Sequence, residues 1–229
     1  SKAMEYYKKA VEVGRETGNK SRLLLYLRSY GLTCIYLGNI SKGIENYNQA
    51  LEIAREFDDK TRESKLCRDI GYCYFVLSDF SKSLNYYNQA LKIARESADT
   101  ALEGSCLNGI ANVYQSKDNY PESILCYEEA LKLARRIGDN YTEASCLHAL
   151  GSLFLKLGNY SKALGNCLLG LQVSKKYGKK MLEASCYLNI GVIYFSTGND
   201  SKALEYIKQA LKMYRAMGTK PWEGICLHN

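Results

Sequence analysis

The chain is predicted to fold as an all-α solenoid of antiparallel helix pairs. The first observation behind this prediction is a repeat. The stretch SKGIENYNQALEIA, which begins at Ser41, returns in related form from Ser81, Pro121, Ser161 and Ser201, always 40 residues apart. No insertion or deletion interrupts this step. A fixed period of this length is typical of proteins that stack one supersecondary unit on the next.

The second observation is helical spacing within each repeat, which predicts two amphipathic helices, named helix A and helix B here. The third is turn chemistry, because Gly38-Asn39 separates the two helices and glycine readily takes the left-handed conformation that ends a helix. In the first complete repeat the apolar or small positions are Leu27, Gly31 and Cys34 in helix A, then Ile44, Tyr47, Ala50, Leu51 and Ala54 in helix B.

The turns also predict where each element lies. Serine caps free backbone donors and proline suits a first helical turn, so Ser41 and its counterparts are expected at or near the start of helix B. One array without a domain boundary is expected, beginning and ending inside a repeat as part of a longer protein would. Its elements are a lone helix B at 1–17, helix pairs at 21–57, 61–97, 101–137, 141–177 and 181–217, and the start of a further helix A at 221–229.

Small residues recur at fixed positions of both helices. Glycine inside a helix costs about 1 kcal/mol relative to alanine, so its recurrence indicates that two helices approach closely. An aromatic column, Tyr74, Tyr114, Phe154 and Tyr194, is expected to fill the space beside the small residues. The small residues of helix A are Gly31, Gly71, Ala111, Gly151 and Gly191, and those of helix B are Ala10, Ala50, Ala90, Ala130, Gly170 and Ala210.

Composition excludes several classes of protein. No apolar run approaches the roughly 18 residues of a membrane helix, so no membrane span is predicted. The net charge of +7 is spread over every repeat, without the basic block of a nucleic-acid tail. The nine cysteines include no CxxC pair, and Cys106, Cys146, Cys186 and Cys226 share one repeat position. They are predicted to form a buried column in a reducing, cytoplasmic compartment rather than disulfides.

The sequence offers little for catalysis. The two histidines, His148 and His228, lie two repeats apart, and Cys146 points away from His148 because residues two apart on a helix face opposite ways. There is no GxSxG elbow and no phosphate-binding glycine loop. We therefore predict no enzymatic activity, no catalytic residues, no metal site and no cofactor, with His148 solvated or lining a groove.

The combined pattern resembles the tetratricopeptide repeat (TPR). Helix A carries a small residue with an aromatic residue three positions later. A Gly-Asn turn follows, and helix B then carries a small residue, an aromatic residue and an alanine. The 40-residue form with long helices is similar to the Pins and LGN adaptors. The resemblance covers the whole chain and implies a right-handed superhelix whose concave surface, formed by the A helices, receives an extended peptide or a helix. It says little about which partner binds.

The predicted partner-binding groove is formed by the side of each helix A that does not carry the small and apolar packing positions. We call this side the helix A stripe. Its chemistry changes from repeat to repeat, being basic and aromatic first, then rich in amides and hydroxyls, then apolar. Exposed Tyr and Phe beside Arg are typical of binding hot spots, although ordinary helix surface packed on the next A helix remains an alternative. The predicted groove residues are Arg28, Lys65, Arg68, Tyr72, Phe75, Asn108, Asn112, His148, Ser152, Asn189, Val192 and Phe195.

The stripe departs from the Pins and LGN pattern, which carries a recurring arginine near the start of helix A and asparagines flanking its small residue. In the matching places this chain has only Lys65 as a basic residue, and the asparagines occur only at Asn112 and Asn189. The resemblance therefore implies the general mode of peptide binding and not the ligands of that family.

The leading functional hypothesis is a noncatalytic scaffold, adaptor or sensor domain. Its partner is expected to be a peptide or helix of another protein, or another segment of the parent chain, with acidic groups near the N-terminal end and apolar anchors near the other. Side-chain amides such as Asn108 suit the ligand backbone. One alternative is RNA or single-strand binding, based on the pI near 8.8 and on Tyr72 and Phe75 beside basic residues. Another is a structural spacer that self-associates through open repeat ends.

Overall fold

The computed structural model describes residues 2–219 and Cys226, and within them it contains eleven α-helices and no strands. The all-α class predicted from the sequence is confirmed. The predicted further helix A from residue 221 lies outside the described residues except for Cys226. The helices are α1 (Lys2–Glu16), α2 (Lys20–Tyr36), α3 (Ile40–Glu56), α4 (Lys60–Val76), α5 (Phe80–Glu96), α6 (Thr100–Ser116), α7 (Tyr120–Ile137), α8 (Asn140–Lys156), α9 (Tyr160–Lys176), α10 (Lys180–Ser196) and α11 (Asp200–Met217).

The helices belong to two compact units, one ending at Asp118 and the other beginning at Asn119. In the first unit, which holds α1 to α6, each helix packs against the next, and the A helices α4 and α6 also touch. In the second unit, α7 to α11 pack in the same order and the A helices α8 and α10 touch. Neighbouring A helices therefore lie side by side within each unit. The single array without a boundary stays a prediction.

Asparagine or aspartate, and not the predicted serine, caps helix B. The Asn39 side chain accepts a hydrogen bond from the Lys42 backbone N–H at 3.2 Å, and Asp79 accepts one from Lys82 at 3.1 Å. Ser41 lies in the first turn of α3, two residues after the cap. A side-chain oxygen at the cap reaches the N–H three residues on, so the asparagine of each Gly-Asn turn both closes one helix and opens the next.

The helices of a pair approach closely because a tyrosine of helix B fills the place of a missing side chain on helix A. A Cβ atom added to Gly31 would lie 2.8 Å from the Tyr47 ring, and one added to Gly71 would lie 3.0 Å from Cγ of Tyr87. The predicted column that includes Tyr74 does not fill this space. Tyr74 is half-buried and stacks on Tyr86 with ring centroids 5.6 Å apart.

Successive repeats are joined by ion pairs between the end of helix B and the start of the next helix A. Arg55 Nε lies 2.8 Å from Glu63 Oε1, Arg95 Nε lies 2.8 Å from Glu103 Oε1, and Arg135 Nε lies 3.0 Å from Glu143 Oε1. The carboxylates are largely buried while the arginines are about half exposed. In each pair the two charges balance, and the pair joins two neighbouring helices.

The cysteine column is buried as predicted. Burial raises the pKa of the Cys106 thiol and of the Cys146 thiol to about 12, so both remain protonated at neutral pH. Cys186 and Cys226 are buried too. Among the described residues, none of the helices combines the length and apolar character needed to cross a lipid bilayer.

Two glycine-to-alanine substitutions test whether the close approach of neighbouring helices depends on the missing side chain. A Cβ at Gly109 would lie 2.4 Å from Cζ of the buried Tyr87, so Gly109→Ala is expected to lower the free energy of unfolding by about 1–3 kcal/mol through overpacking. Gly165, an exposed helical glycine with open space around the added Cβ, is the matched control. Gly165→Ala should raise that free energy by about 0.5–1 kcal/mol. Urea unfolding followed by circular dichroism measures both, and equal effects would contradict the packing argument.

Candidate functional site

Two arginines of the predicted groove share one carboxylate in the first unit. Arg68 of α4 donates to Asp69 Oδ1 from Nε at 3.1 Å and from Nη2 at 2.6 Å, and Arg28 of α2 reaches Asp69 Oδ2 from Nη2 at 3.3 Å. The Asp69 side chain is only 16% exposed, whereas that of Arg28 is 45% exposed. The cluster therefore holds one net positive charge that faces solvent mainly through Arg28.

Tyrosines surround this cluster. Tyr72 lies one helical turn beyond Arg68, on the same face of α4, and is 52% exposed. Tyr47 and Tyr87 are buried beneath it. Burial raises the pKa of both buried phenols, and the Asp69 carboxylate raises it further. They stay neutral and form an apolar floor under an arginine and tyrosine surface.

The other predicted residues of α4 are less available. Lys65 is half-buried. Phe75 is half-buried as well, and its ring centroid lies 6.2 Å from that of Phe80 on α5. Phe75 therefore helps to pack helix A against helix B, and its place in the groove stays a prediction. Tyr72 is the member of this aromatic pair that a partner could contact directly.

The asparagines of α6 are partly committed to their own helix. Asn108 and Asn112 are half-buried, and Asn112 Nδ2 donates to the Asn108 backbone oxygen at 2.9 Å. Because α6 packs on α4, these amides belong to the same inner side of the first unit as Arg68.

In the second unit, His148 and Ser152 lie on α8 and are both half-buried. Burial lowers the pKa of His148 from its usual 6.5 to about 4. Of the two alternatives for His148, its half-buried position favours a groove-lining side chain over a fully solvated one. At neutral pH it is an uncharged imidazole in a poorly hydrated place.

The three predicted residues of α10 have different environments. Val192 is partly buried against the core that includes Leu188 and Ile207, and its role as a groove anchor stays a prediction. Phe195 is exposed. Asn189 is half-buried, and its side-chain amide lies beside the buried Cys167 thiol.

The structure thus brings Arg28, Arg68 and Tyr72 together in the first unit, around an aspartate that sequence reasoning missed. Asp69 directly follows Arg68 and was not among the predicted groove residues. The signal that could have found it is its repeat position, which is occupied elsewhere by the uncharged residues Ser29, Gly109, Ala149 and Asn189. Within the described residues, no group of three His, Cys, Asp or Glu side chains is arranged to hold a metal ion.

Sequence comparison identifies the family. A model of the tetratricopeptide repeat matches residues 21–96, 61–136, 102–166 and 144–216. The chain belongs to the tetratricopeptide repeat family. The TPR resemblance noted from the sequence and the solenoid fold class are both confirmed. A search of curated proteins gave no match to this TPR chain.

Solved structures share the TPR fold at low identity. BtubC (BKLC) from P. vanneervenii has a TM-score of 0.81 and 19% identity, with 95% of this chain and 92% of that chain covered. The apo form of the quorum sensor NprR from B. thuringiensis has a TM-score of 0.81 and 19% identity, with 99% and 64% covered. NprR in complex with its cognate peptide NprX has a TM-score of 0.71 and 21% identity, with 91% and 60% covered. Likeness at these identities shows the fold alone.

The depressed pKa of His148 predicts a pH dependence of stability. An unfolded histidine with a pKa near 6.5 binds a proton at pH values where the folded one, with a pKa of about 4, does not. Above about pH 6.5 His148 is neutral in both states and does not lower the free energy of unfolding. As the pH is lowered from 6.5 towards 4, the unfolded chain takes up a proton that the folded chain does not, and the free energy of unfolding falls. Between pH 7 and pH 4.5 the loss should be about 2–3 kcal/mol.

His148→Asn, which places there the residue that the chain carries at Asn108, should remove this part of the pH dependence. Urea unfolding of both proteins at pH 7 and pH 4.5 gives the difference, in which other titrating groups cancel. Proton NMR titration of the imidazole gives the pKa directly. A His148 pKa near 6.5 would show that the imidazole is solvated.

Proposed function

We propose that this TPR chain is a noncatalytic protein-interaction domain that binds an acidic, partly apolar peptide segment on the inner side of its first unit. The observation that carries the proposal is the cluster of Arg28, Arg68 and Asp69 beside the exposed Tyr72. We infer that the segment comes from a partner protein or from elsewhere in the parent chain, as in an adaptor or sensor.

The charge of the cluster supports an acidic ligand. Asp69 holds two guanidinium groups at once, which aligns them and leaves one positive charge without a counterpart. A guanidinium matches a carboxylate in planar, bidentate geometry. A ligand carboxylate placed against the exposed Arg28 balances the positive charge of the cluster.

Tyr72 supports an apolar contact beside the charge. Tyrosine next to arginine is the combination enriched in binding hot spots, because a rigid ring buries a large area at little entropic cost. The NprR structure with its cognate peptide NprX is a peptide complex of a similar fold, which also supports a peptide as the class of ligand. The RNA alternative is weakened because Phe75, one of its two stacking rings, packs on Phe80.

Location and chemistry complete the proposal. The buried thiols are suited to a reducing compartment such as the cytoplasm. Arginine, aspartate and tyrosine are arranged here for recognition, since no nucleophile is paired with a base in the cluster. We therefore infer binding without catalysis at this surface.

The proposal is tested with peptides selected from a random 12-residue library on the whole chain and then measured as synthetic peptides by fluorescence anisotropy. The selected peptides should combine Asp or Glu with apolar residues. Tyr72→Ala and Arg28→Gln should each weaken binding by about tenfold or more. Arg68 is left unchanged because it makes the two shorter contacts with the largely buried Asp69, so removing it would also destabilise the fold.

Matched variants separate the site from general effects. Arg22→Gln on the same helix α2 removes an equal charge outside the stripe, and Tyr6→Ala removes an exposed tyrosine of α1. Both should leave the affinity unchanged. Asp69→Asn, which frees both guanidinium groups, should tighten the binding of acidic peptides. Failure to select any peptide, or selected peptides that bind Tyr72→Ala and Arg28→Gln normally, would overturn the assignment.

A further inference from the structure

The turn between α9 and α10 differs from every other turn that leads from helix B to helix A in the described residues. Its sequence, KKYGKK at 175–180, carries a charge of +4 and no acidic residue. The corresponding turns REFDDK at 55–60 and RESADT at 95–100 each carry −1, and RRIGDN at 135–140 carries +1. The difference comes both from lysines gained and from acids lost.

Most of these lysines lack a counter-ion. Among the described residues, Lys180 alone of the four forms a salt bridge, with its Nζ 3.2 Å from Glu183 Oε2. The other three ammonium groups lie over tyrosine rings. The distances to the ring centroids are 4.9 Å for Lys175 and Tyr187, 5.1 Å for Lys176 and Tyr177, and 5.7 Å for Lys179 and Tyr141.

Stability of the helix does not explain the lysines. Lys179 is the N-cap residue of α10 and makes no side-chain cap bond. At the same place Asn19, Asp59, Asp99 and Asp139 each accept a backbone N–H. A lysine there gives up a hydrogen bond and puts a cation at the positive end of the helix. The change from acid to lysine therefore works against the fold.

Exposed apolar side chains lie at the same edge. Ile137 and Tyr141 flank the turn between α7 and α8, while Tyr177 and Met181 flank the turn between α9 and α10, and each is more than two-fifths exposed. The contact of Lys179 with Tyr141 joins the two turns. We call this set the turn surface, and its members are Ile137, Tyr141, Lys175, Lys176, Tyr177, Lys179, Lys180 and Met181.

We propose that the turn surface binds the face of a lipid bilayer that carries anionic headgroups. Lysines attract such a surface over several ångströms without requiring a fixed partner geometry. Tyrosine is favoured at the interface between water and lipid, and side chains such as Ile137 and Met181 gain by entering the acyl boundary. The mixture of exposed aliphatic, tyrosine and lysine side chains matches all parts of that interface.

Two other anionic partners fit less well. A nucleic acid binds through phosphate contacts and stacked bases, which leaves Ile137 and Met181 without a role, and one face of Tyr141 and of Tyr177 is covered by an ammonium group. An acidic protein segment is recognised best by the planar fork of arginine, and the four cations of this turn are all lysines. The turn surface lies in the second unit and is independent of the peptide site proposed above.

The experiment is sedimentation of the whole chain with lipid vesicles at 0.1 M salt. We expect binding to vesicles of phosphatidylcholine with about one-third phosphatidylserine and little binding to phosphatidylcholine alone. Lys176→Gln with Lys179→Asp should lower the partition coefficient by more than about tenfold, since each lysine contributes about fivefold. Because Lys179→Asp restores the usual cap residue, this variant should fold at least as stably as the original chain.

The matched control is Lys162→Gln with Lys202→Asp, which makes the same change of charge at two exposed lysines of the same unit that also lie over rings, at 5.2 Å from Phe154 and 5.1 Å from Tyr194. This control should bind the vesicles normally. Tyr177→Ser with Met181→Ser keeps every lysine and should still weaken vesicle binding severalfold. Poly-uridine RNA and poly-glutamate serve as competing partners. Equal binding to vesicles with and without phosphatidylserine, indifference to either turn-surface variant, or tighter binding to RNA or poly-glutamate would overturn the lipid assignment.

Discussion

The close contact between a side-chain-free position of helix A and a large side chain of helix B is the constraint on which the rest of the structure depends. In the first unit the Tyr47 ring packs on Gly31, and Tyr87 packs between Gly71 and Gly109. In α9 and α11 of the second unit smaller side chains hold the same repeat position, with Cys167 on Gly151 and Ile207 on Gly191. The backbone separation is therefore set by backbone-to-side-chain contact, and a change of one methyl group on helix A is felt by the whole pair.

This constraint explains why the sequence predicts the fold so well. A helix pair that must bring the same two positions together in every repeat cannot change its length, so the 40-residue step and the glycine positions follow from packing alone. The helices and turns could be located to within one or two residues because hydrophobic spacing and turn glycines indicate the same boundaries. The residue that caps α3 could not be chosen from the sequence alone, since asparagine and serine are both good N-caps. The backbone conformation of the turn places Asn39, and not Ser41, at the cap position.

The surroundings of the candidate site residues were less predictable than the fold, for one physical reason. Helical periodicity tells which side of a helix a residue faces, but it does not tell how far the neighbouring helix extends over that side. Phe75 and Val192 were assigned to an open stripe, although each packs on an adjoining helix. His148 faces the expected direction but is too poorly hydrated to be charged. The Asp69 pairing depends on the distance between α2 and α4, which no single-helix pattern contains.

Charge is used in two distinct ways in this TPR chain, and the difference limits where function can lie. The arginine at the end of helix B is tied to a glutamate eight residues later at three junctions, Arg55, Arg95 and Arg135. At the fourth junction Lys175 replaces the arginine and lies over Tyr187 instead, while Glu183 pairs with Lys180. The net charge of the chain is thus a poor guide to binding, because several cations already form ion pairs with carboxylates of neighbouring helices. At two places, the Arg28 cluster in the first unit and the turn surface in the second, positive charge exceeds the acidic charge that pairs with it and tyrosines lie beside it.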